Sequence, residues 1–392
     1  MPAFKPKFEI NGKILIFSDL HIGLKDSSTQ YLNTCISVIK EIRNAVRKNK
    51  IENIIFCGDL FHSRKHIELK ALNCGLTMIS ALAKYAKIYM ICGNHDTYYK
   101  NSNEINSINI FKDNPNVVLI PQAVQVKINE KSALLVPWLG DLSKFKKESF
   151  DMMLGHFDIS TNYLIDSYIE EHSTPTETSQ ELKNELGLEE VPYQDKIGEF
   201  VELVKKEGYI YCGHIHQRKE FIAKSRNIIF VGSPYQQNAG EIDSVDGYYI
   251  LDENCVPKFH KIKNTPKHIF IKISEVLKKG VDNFDFSVVK NNIVRKIYDT
   301  QVTKEDETKI NQKINLFNPF DELLPEHEVE SKEGEDSIIS CESLELIKKS
   351  KLDYLQTYIN GLDNAVLDKM GLEKDKIYDI MKNYYERVGG RN

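Results

Sequence analysis

Five times in its first 216 residues the chain runs through a few apolar residues, halts at Gly or Ser, and then delivers carboxylate, amide or imidazole groups. Lys13–Phe17 (KILIF) leads into Ser18-Asp19-Leu20-His21, and Ile54–Cys57 into Gly58-Asp59-Leu60-Phe61-His62. Ile88–Ile91 and Cys92 lead into Gly93-Asn94-His95-Asp96, Met152–Leu154 into Gly155-His156-Phe157-Asp158, and Tyr209–Cys212 into Gly213-His214-Ile215-His216. Short apolar runs bounded by turn residues read as buried strands, and glycine at their ends lets the backbone turn sharply and approach a ligand. Ala133–Val136 and Ile228–Val231 read as further strands. Between the runs lie helical spacings: Leu32, Cys35, Ile39, Ile42 and Val46, then Leu69, Leu72, Leu76, Ile79 and Leu82. A third stripe, Ile197, Phe200, Val201 and Val204, predicts a helix ended by Gly208. Strands alternating with helices predict an α/β sandwich flanked by helices, with ligands gathered at the strand C-termini.

Taken singly, each strand tip is ambiguous. A lone His beside an apolar run is more often a satisfied core or surface residue, and the His pair of GHIH would suit an ordinary strand edge. Five tips in order are not explained that way, and they hold six of the eleven histidines. In an α/β sheet they converge on one edge. Their donors are oxygen and nitrogen without thiolate, a set that suits a borderline-to-hard divalent ion such as manganese or iron. They are too many for one ion, so a pair of ions sharing a carboxylate is expected.

Composition narrows the remaining choices. A chain of 392 residues, 41% hydrophobic and 28% charged, has the balance of a globular protein with two or three domains. Its longest apolar run, Ala133–Leu139, contains a proline and is too short to span a bilayer. The N-terminus lacks the apolar stretch of a secretory signal, so a cytoplasmic location is expected, without a membrane. The seven cysteines are scattered and never form CxxC, which speaks against disulfides and a cysteine-type zinc site. With a net charge of −5, nucleic-acid binding needs a local basic face. Candidates are Arg64-Lys65 and Arg218-Lys219, which flank metal motifs, and the lysine clusters at Lys144/Lys146/Lys147 and Lys258/Lys261/Lys263/Lys267.

At this point a resemblance can be stated. DLH, GDLFH, GNHD, GHFD and GHIH, in this order, resemble the five motifs of the calcineurin-like metallophosphoesterases, over Lys13 to Leu251. Within that superfamily, GDLFHSR, VGSPYQQNAGE and DGYYILD resemble the SbcD-type double-strand-break repair nucleases, including phage recombination nuclease subunits. Protein phosphatases of the superfamily would carry GDxxDRG where this chain reads GDLFHSR.

The resemblance implies that Asp19, His21 and His216 hold one ion, that Asn94, His156 and His214 hold a second, and that Asp59 bridges them. It implies manganese ions, a hydroxide between them attacking phosphorus, and His95 as the proton donor to the leaving oxygen. Asp96 would orient His95 or the backbone turn, and His62 is either a DNA contact or an ordinary loop histidine. Implied partners are DNA and an SbcC-like coiled-coil ATPase, the nuclease being a homodimer within a heterotetramer. The location would be near the nucleoid, or in the host cytoplasm if phage-encoded.

The expected domains are 1–264, the nuclease; 265–317, a small capping domain; 318–340, an acidic linker; and 341–392, helices that grip the ATPase. Residues 171–195 read as a polar surface insertion. Two other functions compete with the DNA nuclease. One is a phosphodiesterase for nucleotides or small phosphoesters; the other is a non-catalytic scaffold, which would have no need of an intact donor set.

Overall fold

The computed structural model describes residues 5–157, 201–323 and 326–327. Asp158, the helical stripe at Ile197 and Phe200, the insertion 171–195, most of the stretch 318–340, Cys341 and the expected helices of 341–392 lie outside the described residues. The strands, in chain order, are β1 (Glu9–Ile10), β2 (Ile14–Phe17), β3 (Asn53–Phe56), β4 (Lys87–Ile91), β5 (Val117–Ile120), β6 (Val124–Ile128), β7 (Lys131–Val136) and β8 (Phe150–Gly155). Then follow β9 (Val204–Cys212), β10 (Lys219–Ala223), β11 (Arg226–Phe230), β12 (Gly247–Leu251), β13 (Pro257–Lys261), β14 (His268–Lys272), β15 (Ile293–Tyr298) and β16 (Asp321–Glu322). The helices are α1 (Thr29–Asn49), α2 (Leu69–Ala83), α3 (Ile273–Lys279) and α4 (Lys304–Leu316).

One sheet has the order β13-β12-β2-β3-β4-β5 and a second the order β1-β6-β7-β8-β9-β11-β10. Strands β2 to β5 run parallel, as do β7, β8, β9 and β11, so each sheet brings several C-termini to one edge. The pleat explains the unbroken apolar runs. Ile14, Ile16, Ile55, Tyr89 and Ile91 face the opposing sheet, where they meet Leu135, Met152, Leu154, Tyr211 and Ile229. Leu15, Phe17, Ile54, Phe56, Ile88 and Met90 face α1 and α2. Strands buried on both faces cannot alternate polar and apolar residues. The chain is an α/β sandwich of two large sheets flanked by helices.

Two helix expectations are corrected. On α2, Leu69 is 80% exposed and Leu76 36% exposed, while Ala71, Cys74, Gly75, Met78, Ile79 and Leu82 form the buried face. The Phe61 ring lies directly against Gly75, where any side chain would collide with it. Val204 belongs to a strand, and Gly208 lies inside β9 beside a register shift opposite Phe150 and Met152. Glycine there marks an irregularity in a ladder and ends no helix.

By contact density the chain divides into Met1–Ile297 with Gln312–Glu326, and Tyr298–Asn311 with His327–Asn392. In the first unit, β14 and β15 pair in parallel, and Asp321–Glu322, within the stretch 318–340, adds to β15. This small sheet is tied to α1 by bonds from Gln30 Nε2 to Phe320 O (2.9 Å) and from Tyr31 OH to Asp321 Oδ2 (3.3 Å). In the second unit, Tyr298 OH donates to Glu307 at 2.7 Å and Lys309 pairs with Glu305 at 2.6 Å. Among the described residues no helix is long and apolar enough to cross a membrane, and six cysteines are buried as thiols outside any disulfide.

Candidate metal centre

The five strand tips meet at one edge because their backbones are laced together. Asp19 N donates to Gly58 O (3.0 Å), His21 N to Asp59 O (3.1 Å), and Ile22 N to Leu60 O (2.8 Å). The third tip joins through Asp96, whose carboxylate accepts from Asp59 N (2.9 Å), Leu60 N (3.0 Å), Gly93 N (2.9 Å) and Ser107 Oγ (3.2 Å). His95 N returns a bond to Asp59 Oδ1 at 2.7 Å. A Cβ on Gly93 would strike Asp59, so only glycine allows this approach. Within the second sheet Gly213 N donates to Gly155 O (2.9 Å), and across the sandwich His214 N donates to the Asp19 carboxylate (3.2 Å). Asp19, His21, Asp59 and His214 all adopt positive φ (54°, 43°, 59° and 76°), a conformation that side chains other than glycine hold only when their surroundings impose it.

The side chains form two adjoining groups. In one, His216 Nε2 lies 3.1 Å from His21 Nε2 and 3.8 Å from Asp19 Oδ1, and His21 Nε2 lies 3.4 Å from Asp59 Oδ2. In the other, the Asn94 amide oxygen is 2.7 Å from His156 Nε2 and 3.1 Å from His214 Nδ1, and His156 Nε2 is 3.5 Å from Asp59 Oδ2. Asp59 thus touches both groups.

Proton accounting tests whether cations fit. His156 Nδ1 lies 2.8 Å from Cys57 O, and since a carbonyl only accepts, that nitrogen carries the proton. Burial holds His156 neutral, with a pKa well below the ordinary value, so its Nε2 presents a lone pair to the Asn94 oxygen. Two acceptors then face each other with no proton between them. Turning the Asn94 amide over would let its nitrogen donate to His156, His214 and Asp59 Oδ2 (3.0 Å), with its oxygen taking Arg64 Nη2 at 3.1 Å. A cation among these lone pairs satisfies them with the amide as it stands, and oxygen and imidazole donors suit a divalent ion.

The charge states belong to the same picture. Burial, with Asp19 and Asp96 close by, pushes the Asp59 carboxyl well above its ordinary range. Burial also raises Asp19, against the pull of His216. His21 is held well below the ordinary value by burial and by His216 beside it. Burial opposes charge on His216 too, but the Glu241 carboxylate and Asp19 outweigh it and raise its pKa. Burial outweighs the positive neighbours His216 and Arg64 at these two carboxylates, and bound cations would offset it.

The remaining predicted residues take varied places. His95 Nδ1 donates to His62 O at 2.6 Å, and its ring lies edge-on to His21 at 4.7 Å. The exposed His62 ring stacks beside His95 at 5.8 Å. Asp96 bonds to backbone N–H groups and to Ser107, the work of a turn former. Half-buried Arg64 lies beside Asn94, its Nη2 3.1 Å from the amide atom that is an acceptor only when the amide is turned over, and exposed Lys65 follows it. Arg218, expected on a DNA track, bonds to Glu220 and Tyr249 OH, and its guanidinium lies 4.0 Å over the Phe259 ring. Burial lowers the pKa of its neighbour Lys219.

Sequence reasoning passed over three residues at the site. Trp138, at the end of β7, lies 5.2 Å from the His214 ring and tilted 32° to it. Gln237 Nε2 donates to Asp19 O at 2.6 Å, and Glu241 Oε1 accepts from His216 Nδ1 at 2.8 Å. The single Trp after a strand was a usable signal for the first. The other two lie in the quoted stretch VGSPYQQNAGE, to which no site role was given.

Known proteins resemble the chain as follows. The calcineurin-like phosphoesterase family model matches residues 12–218. Exonuclease subunit 1 of Enterobacteria phage T4 is 23% identical over 358 residues, covering 89% of this chain and 93% of that protein. The uncharacterized protein R555 of Acanthamoeba polyphaga mimivirus is 22% identical over 93% of this chain, which spans 27% of that longer protein. Among solved structures, one described as a novel archaeal phosphodiesterase is 13% identical, covers 64% of this chain and 99% of its own, and has a TM-score of 0.32.

Proposed function

The chain belongs to the calcineurin-like phosphoesterase family, metal-dependent hydrolases of phosphoester bonds, and from that premise we propose that it is a manganese-dependent DNA nuclease. It would cut phosphodiester bonds during end processing, recombination or repair, as one subunit of an SbcCD-like complex. The observation that carries the hydrolytic part is the His156 Nε2 lone pair facing the Asn94 amide oxygen with no proton between them, beside His214 and Asp59 and the Asp19, His21 and His216 group. DNA as substrate is supported by the likeness to the phage exonuclease subunit, which runs over 89% of the chain, well beyond residues 12–218.

Asp19, His21 and His216 would hold one ion, Asn94, His156 and His214 the other, with Asp59 between them. Bound there, divalent ions lower the pKa of water and neutralise phosphate charge. The chain's own groups do the rest. Burial at the convergence of two sheets keeps bulk water from screening these charges. Arg64, beside Asn94, offers a planar fork to a phosphate oxygen, and Lys65 extends that charge outward. His95, its Nδ1–H fixed on His62 O, presents Nε2 as the atom that hands a proton to the departing sugar oxygen. Burial lowers the pKa of this imidazole, and the negative charge of a bound phosphodiester acts in the opposite direction.

The partner reading remains DNA and an SbcC-like ATPase held by residues 341–392, with a homodimer of this chain in the assembly. The deciding assay gives the purified chain Mn²⁺ and linear duplex, hairpin or circular single-stranded DNA, with and without the ATPase, alongside nucleotide phosphodiesters. Cleavage of DNA that EDTA abolishes supports the reading. Strong turnover of nucleotides with little on DNA would replace it with the small-phosphodiester alternative.

A further inference from the structure

We propose that the segment Ser233–Glu241 is a positioning element for one half of the metal centre, orienting His216 and holding the Asp19–His21 tip. This deepens the reading of the centre given above and rests on it.

The segment follows β11 through a bend at Pro234 and Tyr235, and successive side chains reach different neighbours. Tyr235 and Gln237 reach the first tip: Tyr235 OH donates to Leu20 O at 2.9 Å and Gln237 Nε2 to Asp19 O at 2.6 Å. Gln236, between them, turns elsewhere; its Oε1 accepts from His268 N at 2.7 Å and its Nε2 donates to Ile242 O at 3.0 Å. The two carbonyls gripped by Tyr235 and Gln237 lie in a stretch where Asp19 and His21 take φ of 54° and 43°. Backbone of that kind persists where neighbours over-determine it, and these two bonds are such a constraint.

The chain then doubles back through a short 3₁₀ turn, Ala239–Glu241, and sets the Glu241 carboxylate, 2% exposed, beneath its own start. Oε2 accepts from Gln237 N (2.7 Å), with Ser233 Oγ, which donates to Tyr235 O, 3.4 Å away, and Asn238 Nδ2 donates to Oε1 at 2.5 Å. A carboxylate anchored so firmly leaves its bond to His216 Nδ1, 2.8 Å, little room to shift. That bond places the proton on Nδ1 and aims Nε2 at His21 and Asp19. A buried carboxylate behind a ligating imidazole fixes tautomer and ring orientation and raises its basicity. The other half is oriented from a different place, since His156 Nδ1 is set by Cys57 O. Glu241 is therefore a positioning residue for the His216 side, and its loss is felt unequally by the two ions.

The test titrates the full chain with Mn²⁺ by calorimetry and follows the manganese by electron paramagnetic resonance. Wild-type protein takes up a pair of ions with an exchange-coupled spectrum. Glu241→Ala weakens one ion by about 10–100-fold and leaves the other unchanged, so that a single-ion spectrum persists to higher Mn²⁺. Glu241→Gln, whose amide oxygen still accepts from Nδ1–H, recovers most of that affinity, and Tyr235→Phe weakens the same ion as Glu241→Ala. Equal weakening of both ions in step with a fall in Tm would make the residue merely structural and overturn the proposal. Two unchanged affinities would overturn it as well. A wild-type chain without a coupled pair would instead refute the reading of the centre, and the proposal with it.

Discussion

Replacing Asp96 by Asn tests how the tips are laced, and its cost can be worked from the contacts. The carboxylate is 1% exposed, and each oxygen takes two donors: Oδ2 from Asp59 N and Gly93 N, Oδ1 from Leu60 N and Ser107 Oγ. An amide keeps only one oxygen. The cheaper orientation sets NH₂ toward Leu60 N and Ser107, because the hydroxyl can rotate and accept while a backbone N–H cannot. Leu60 N–H is then buried without an acceptor, at about 1–3 kcal/mol. The two bonds that remain lose their charge assistance, about 1 kcal/mol each. Burial raises the pKa of Asp96, so removing its charge returns part of this. A net loss of about 2–3 kcal/mol is expected, a large share of the roughly 5–15 kcal/mol that holds a folded chain together. Urea unfolding of the EDTA-treated protein should show it as a lower midpoint at unchanged slope. Because Leu60 N–H adjoins Asp59, Mn²⁺ affinity should fall as well. Destabilisation below about 0.5 kcal/mol with full ion binding would refute the reasoning, since surface changes cost no more. A slower rate at unchanged stability would return Asp96 to a role on His95.

Four further outcomes follow from the same geometry. Asp59→Asn should abolish turnover and strip at least one ion, because this carboxylate touches both groups; metal analysis after gel filtration decides it, and full occupancy with normal activity would sink the shared assignment. His95→Asn should keep ion content and slow DNA cleavage by roughly 10²–10⁴, the range for a lost general acid; loss of an ion would make His95 a ligand. In ion-free protein the raised pKa values of Asp19 and Asp59 mean that the folded state keeps protons the unfolded chain releases above 3.8, so their contribution to stability declines as pH rises through the folded values. Bound cations remove that decline, so the Tm gap between Mn²⁺-loaded and EDTA-treated protein should widen from about pH 5 to about pH 8, and a flat or narrowing gap would contradict the sign. Deleting residues from Glu342 onward should leave Mn²⁺-dependent cleavage of simple substrates intact and abolish co-purification with the ATPase; unchanged capture of the ATPase would place that contact elsewhere.

What could be read from the chain and what could not separate along a physical line. The strands before Asp19, Asp59, Asn94, His156 and His214 were legible because they are buried on both faces, and such runs end abruptly where the backbone leaves the sandwich. Parallel pairing then gathers the tips, so a donor set carried on strand ends is collected by topology alone. The buried face of α2 was not legible, since apolar bulk pointed to Leu69 and Leu76 while the Phe61 ring demanded glycine at Gly75. At Arg218 a run of basic residues says nothing about the Phe259 ring that the other sheet lays beneath its guanidinium. Gln237 and Glu241 stand at the far end of this scale. They bond to Asp19, more than two hundred residues earlier, and to His216 across a turn, and neither bond leaves a periodicity in the chain. Donors on strand ends are placed by the sheets, whereas the groups that aim those donors come from loops whose approach depends on how the sandwich closes. The second kind of residue decides which ion a substitution loosens, and it became visible only once β11 had brought Ser233–Glu241 against the first tip.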